Sequence, residues 1–210
     1  MKTFQEINVL FSNGMSEDLV GILAIFGHKV LFEYDLSWIK KGIELSPRHL
    51  PTTQAAFRFD STTLLNSLPG LFADSLPDGW GMLIMDRFFL KNGIKRQDIS
   101  PIDRLAYLGN NAMGALCYRP SLNKDDQGTE AVSIGETARE ALDLYEGNIE
   151  DASSLLAKIG GSPGGARPKA LIGISDCGTK FISGLNELPV GFTHWLVKFS
   201  GSKPTHLREL

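Results

Sequence analysis

The sequence has 210 residues, of which 42% are hydrophobic, 9% aromatic and 21% charged, with a formal net charge of -3. That composition excludes a chain that is mainly disordered, and the length supports one large core or two small ones. Two cysteines, Cys117 and Cys177, exclude a disulfide framework and a structural zinc site, and no run of 18 apolar residues or N-terminal apolar leader occurs, so the expected setting is a reducing, cytoplasmic one. Charge is unevenly spread: residues 124–151 hold 2 basic and 9 acidic side chains, and residues 152–210 hold 7 and 3. The acidic stretch reads as a solvated face or linker. No block is basic enough for direct nucleic-acid binding.

The first third predicts short strands. Ile7–Phe11, Val20–Ile25 and Val30–Tyr34 are apolar runs punctuated by Ser12-Asn13-Gly14 and Gly27-His28, the pattern of an antiparallel meander. Leu36–Lys41 reads as a single helical turn closed by Gly42, and Pro47, Pro51 and Thr52-Thr53 as a loop. After Leu68 the texture changes. Met82–Leu90 has the look of a buried helix closed by Lys91-Asn92-Gly93, with Asp78 as a candidate N-cap. Ser100-Pro101 with Asp103 three residues on opens a second helix that runs to Leu108, and Gly114–Tyr118 returns as a strand.

Residues 120–130 are turn-rich and form the best boundary. Beyond them, 133–144 and 151–159 have helical spacing. Ala170–Ile174 and Lys180–Ile182 form a predicted hairpin about Ser175–Gly178, and His194–Phe199 a further strand. The fold class is therefore α+β, divided into residues 1–120, an acidic linker or helix over 121–150, and a segment over 151–210.

Chemistry concentrates in Gly160-Gly161-Ser162-Pro163-Gly164-Gly165-Ala166-Arg167-Pro168-Lys169. Glycines let backbone N–H groups approach an anion, and Arg167 and Lys169 add positive charge, so a phosphate cradle and a plain flexible loop are both open. The spacing matches neither the P-loop nor the dinucleotide fingerprint. Lys198 sits among Trp195, Leu196, Val197 and Phe199. Buried there it needs an anionic partner; on an edge strand it would reach solvent. Protein kinases use the same order of parts: a glycine-rich loop between two strands, then a third strand presenting a lysine to the nucleotide phosphates. Asp74 and Asp78 read as caps or turn residues. His28, His49, His194 and His206 lack metal-ligand spacing, and His194 beside Trp195 is expected to pack in the sheet.

Leu71–Gly81, Leu108-Gly109 with Gly114-Ala115-Leu116, the loop from Gly161 to Lys169, and Thr193–Lys198 occur together and in order. In these segments the chain resembles the HipA-type toxin kinases. The resemblance implies an N-terminal, mainly antiparallel subdomain with helices, followed by the antiparallel sheet of a kinase N-lobe. It also implies a serine/threonine protein kinase of a toxin-antitoxin system, using ATP and Mg2+ to phosphorylate a protein target of the aminoacyl-tRNA synthetase class and itself. The partner it implies is a HipB-like helix-turn-helix antitoxin, so that DNA is reached only through that partner, and no membrane is involved.

By position, the resemblance makes Ser162 the autophosphorylation site and places Gly161, Ser162, Pro163, Gly164, Gly165, Ala166, Arg167, Lys169 and Lys198 at ATP. The catalytic acid and the Mg2+ ligands of such kinases follow the lysine strand, and this sequence ends 12 residues past Lys198. The expectation is thus an N-terminal portion, inactive by itself, whose C-lobe lies elsewhere. The alternatives are a stand-alone regulatory or binding module of a split kinase system, and a remnant without a ligand.

Overall fold

The computed structural model describes residues 3–27, 29–59, 67–122, 130–160, 164–185 and 187–200. His28, most of the turn-rich boundary (residues 123–129) and residues 201–210 lie outside them. The chain divides into two compact units: residues 1–77 with 89–126, and residues 78–88 with 127–210. Residues 78–88 fall within the 1–120 span of the sequence reading and pack with the second unit.

In the first unit, strands β1 (Glu6–Ser12), β2 (Glu17–Phe26), β3 (Lys29–Tyr34), β4 (Phe57–Phe59) and β5 (Leu116–Arg119) form an antiparallel sheet in the order β4-β3-β2-β1-β5. The meander follows the predicted runs. Ile7 and Val9 are buried between exposed Glu6 and Asn8, and Val30, Phe32 and Tyr34 are buried along β3, which is the period-two pattern of a sheet with one covered face. Phe32 packs its ring 4.8 Å from Phe72 of helix α2 (Gly70–Ala73). Trp38, on α1 (Leu36–Lys41), is fully buried and donates its indole N–H to the Ile43 carbonyl at 3.1 Å.

Helix α3 (Gly79–Lys91) is shared between the two units, residues 79–88 belonging to the second and Phe89 onward to the first. Helix α4 (Pro101–Leu108) begins as the sequence reading expects. The Ser100 hydroxyl accepts the Asp103 N–H at 3.0 Å, and the Asp103 carboxylate accepts the Ser100 N–H at 3.1 Å, a reciprocal capping box.

The second unit holds α5 (Ile134–Glu146), α6 (Ser154–Gly160) and strands β6 (Lys169–Ser175), β7 (Phe181–Ser183) and β8 (Phe192–Lys198), whose antiparallel sheet has the order β7-β6-β8. Its core gathers Trp80 and Ile84 of α3, Ala141 and Leu144 of α5, Leu156 and Ile159 of α6, and Ala170 and Ile172 of β6. An α+β architecture is therefore observed in both units. Among the described residues, no helix is long and apolar enough to cross a membrane.

Candidate functional site

The glycine-rich loop leads into β6, and its described part, Gly164 to Lys169, is held by the first residues of α3. The Trp80 N–H donates to the Gly165 carbonyl at 3.1 Å, and the Asp78 carboxylate accepts the Gly165 N–H. Both polar groups of Gly165 are thus fixed by two residues of one short segment. The Trp80 indole N–H donates to the Lys169 carbonyl at 2.9 Å, so the same side chain that enters the core also fixes where the loop becomes a strand. Trp80 is fully buried, with the Tyr145 ring 6.5 Å away.

Two glycines are required here by geometry. Gly79 has φ +29°, and a Cβ on it would lie 2.5 Å from Ala166 Cα, so α3 and the loop touch backbone to backbone. Gly165 has φ +101°, a conformation that L side chains rarely adopt, and it turns the loop over Asp78. The backbone of Asp78 behaves as an N-cap, its carbonyl accepting the Met82 N–H at 3.3 Å. Its side chain goes to the loop and not to the helix's own N–H groups.

Lys169 is the buried lysine of this region, at 3% relative exposure, and its ammonium donates to the Gly164 carbonyl. Its pKa is lowered, chiefly by burial and further by the charge of Lys198, while Asp78 works in the opposite direction. In the β6–β8 register Lys169 stands opposite Lys198 and Leu171 opposite Leu196, so the two lysines share one face of the sheet. Like charges directly opposite are unfavourable, and an anion on that face relieves them.

Gly164, Gly165, Ala166, Arg167, Lys169 and Lys198 are thus in the second unit, where Gly164, Gly165, Lys169 and Lys198 are joined by contact or register. Ala166 and Arg167 are exposed beside them. Gly161, Ser162 and Pro163 lie outside the described residues. Of the two readings left open for Lys198, the edge-strand one holds: β8 has a strand on only one side among the described residues, and Lys198 is exposed. His194 and Trp195 are exposed as well, Trp195 at 54%, and not packed within the sheet. His194 Nδ1 lies 3.1 Å from the Gly184 carbonyl, a bond that requires the proton on Nδ1.

Asp78, Gly79 and Trp80 complete the site from the start of α3, where the sequence marks only Asp78, as a candidate cap or turn residue. Their signal was present in the run Pro77-Asp78-Gly79-Trp80-Gly81, two glycines flanking a tryptophan, which is unusual at the start of a helix. Cys177 lies apart, exposed in the β6–β7 turn, where hydrogen bonds with the Ser175 and Thr179 hydroxyls lower its thiol pKa to about 7. Among the described residues, no group of three or more His, Cys, Asp or Glu could hold a metal ion.

These features define a two-unit α+β protein in which a glycine-rich loop, docked on a helix start, precedes a three-stranded antiparallel sheet bearing two opposed lysines. Residues 14–119 match the family model of the HipA N-terminal domain. The chain belongs to the HipA family. The matched stretch contains the Asp78–Gly81 clamp and stops before the glycine-rich loop. A comparison with curated proteins finds no match.

Proposed function

We propose that the chain is the N-terminal portion of a HipA-like serine/threonine protein kinase, and that its second unit is the start of the kinase N-lobe. The observation that carries this reading is the order loop, β6, β7, β8 in an antiparallel β7-β6-β8 sheet, with Lys198 on the third strand opposite Lys169. A glycine-rich loop followed by antiparallel strands, one of which carries a lysine, is also how kinases grip nucleotide phosphates, except that in those the loop follows a strand and here it follows α6. Membership of the HipA family supports it independently.

In this reading Mg-ATP is the phosphoryl donor. The N–H groups of Gly164, Gly165 and Ala166 face its phosphates, and Lys169 and Lys198 balance their charge. The fit is supported by the Gly165 N–H already binding a carboxylate oxygen and by two ammonium groups on one sheet face. Ser162 is the proposed autophosphorylation site, where a phosphoserine would add about -1.5 to -2 charges to the glycine-rich segment and oppose ATP. The proposed partners are a protein substrate and a HipB-like antitoxin.

Titration of the protein with Mg-ATP tests the reading. Lys198→Ala should weaken nucleotide binding about tenfold through loss of a charge-assisted contact. The melting temperature should not move, because Lys198 is exposed. Equal ATP affinity in the wild type and in Lys198→Ala refutes the assignment of Lys198.

A further inference from the structure

The Asp78 carboxylate lies against the part of the loop that an anion would use. It accepts the Gly165 N–H, and the side on which Gly164 would carry a Cβ is 3.5 Å from Asp78 Oδ1. The Lys169 ammonium donates to the carbonyl of the adjoining Gly164, within reach of the Asp78 charge, and Lys198 stands across the strand pair on the same face. A backbone N–H makes one good hydrogen bond. While it serves Asp78, Gly165 cannot also serve a phosphate oxygen, and a carboxylate beside that oxygen repels it.

We propose that Asp78 is an internal counter-anion of the glycine-rich loop, a positioning residue that holds the loop self-liganded until a phosphate-bearing ligand takes over the Gly165 N–H. This rests on the reading of the loop as a phosphate cradle and adds what occupies the cradle beforehand. The exchange has a built-in pivot. The Gly165 carbonyl remains bonded to the Trp80 N–H whichever anion holds the Gly165 N–H, so the residue stays anchored on α3 through the peptide that follows it while the donor of the preceding peptide changes partner. Asp78 is exposed, which leaves its side chain room to swing into water when displaced. The competition also works in the ligand's disfavour: affinity for phosphate is held below what the same loop would show without a resident carboxylate.

The experiment uses the 210-residue chain, with inorganic tripolyphosphate titrated at low salt and followed by calorimetry and by the Gly165 amide resonance. Asp78→Asn keeps an acceptor oxygen for the loop and removes the charge; Asp78→Ser is a second, shorter neutral variant. Both should bind tripolyphosphate about fivefold more tightly than the wild type, a figure that allows for the screening of an exposed charge. Lys169→Ala should weaken binding in either background, and Asp78→Glu should stay closer to the wild type than the neutral variants do. The Gly165 amide should exchange with solvent faster in Asp78→Ser than in the wild type, and its resonance should move on titration. If the wild type binds and both neutral variants bind equally or more weakly, the counter-anion role is overturned while the cradle stands. A gain that Lys169→Ala does not reverse, or that leaves the Gly165 resonance in place, also overturns it by locating the anion elsewhere. If neither the wild type nor any variant binds, the cradle reading falls and the counter-anion role falls with it.

Discussion

Replacing Gly79 by alanine places one methyl group where the start of α3 meets the glycine-rich loop. The new Cβ would lie 2.5 Å from Ala166 Cα and 3.0 Å from both Ala166 Cβ and Ala166 N. None of these atoms is the end of a flexible side chain, so relief requires the backbone of the loop or of α3 to move. Two costs combine: about 1 kcal/mol for an L-residue at positive φ and roughly 1–3 kcal/mol for overpacking. A loss of about 2–4 kcal/mol lowers the melting temperature of a unit of this size by roughly 8 °C or more. Near-ultraviolet circular dichroism is the suitable assay, because Trp80 is buried next to the altered position and reports directly on it. Gly164→Ala is the matched control, since its Cβ would make an ordinary 3.5 Å contact with Asp78 Oδ1. A Gly79→Ala protein melting within about 2 °C of the wild type, or both variants melting together, would refute the backbone contact.

Trp80→Phe should cost about 1–2 kcal/mol beyond the cavity left by the smaller ring, because the Lys169 carbonyl loses the indole N–H that satisfies it; Trp80→Phe unfolding in urea at the wild-type midpoint would contradict this. Cys177 should alkylate with iodoacetamide far faster than buried Cys117. Its lowered pKa makes the thiolate the main form above about pH 7, so the rate should rise through that pH and level off above it. Thr179→Ala, which removes one of the hydrogen bonds responsible, should move the midpoint upward, and an unchanged midpoint would show that the hydroxyls do not set it.

What the sequence made legible was short-range. Ser100, Pro101 and Asp103 announce a helix start because cap and partner lie three residues apart, and the structure closes that box as written. The strands of the meander were readable because their buried and exposed residues alternate within each run. Strand β4 and helix α2, three and four residues long, went unread because so short a segment carries little pattern of its own. The site was legible only on the loop side. Asp78 has the residue type and position of an N-cap, and its carbonyl acts as one, yet a tertiary partner 87 residues away takes its carboxylate. Lys198 shows a different limit: its apolar neighbours left burial and an exposed edge position both open, and only the sheet order decides, since among the described residues its strand is bordered on one side and exposes most of its side chains.

The clamp between α3 and the loop has a temporal side. Trp80 and the carbonyl it serves at Lys169 are 89 residues apart, so during synthesis the indole emerges well before its acceptor exists. At about 5–20 residues per second the nascent chain carries it unmatched for roughly 5–20 s. The rest of the first unit is translated within that interval, since its last segment ends at Asp126. Folding on the ribosome therefore reaches the first sheet while Trp80 and Ile84 still await the helices and strand that bury them. A nascent chain stalled between the two moments would display those side chains, and it is there that a chaperone would have most to protect.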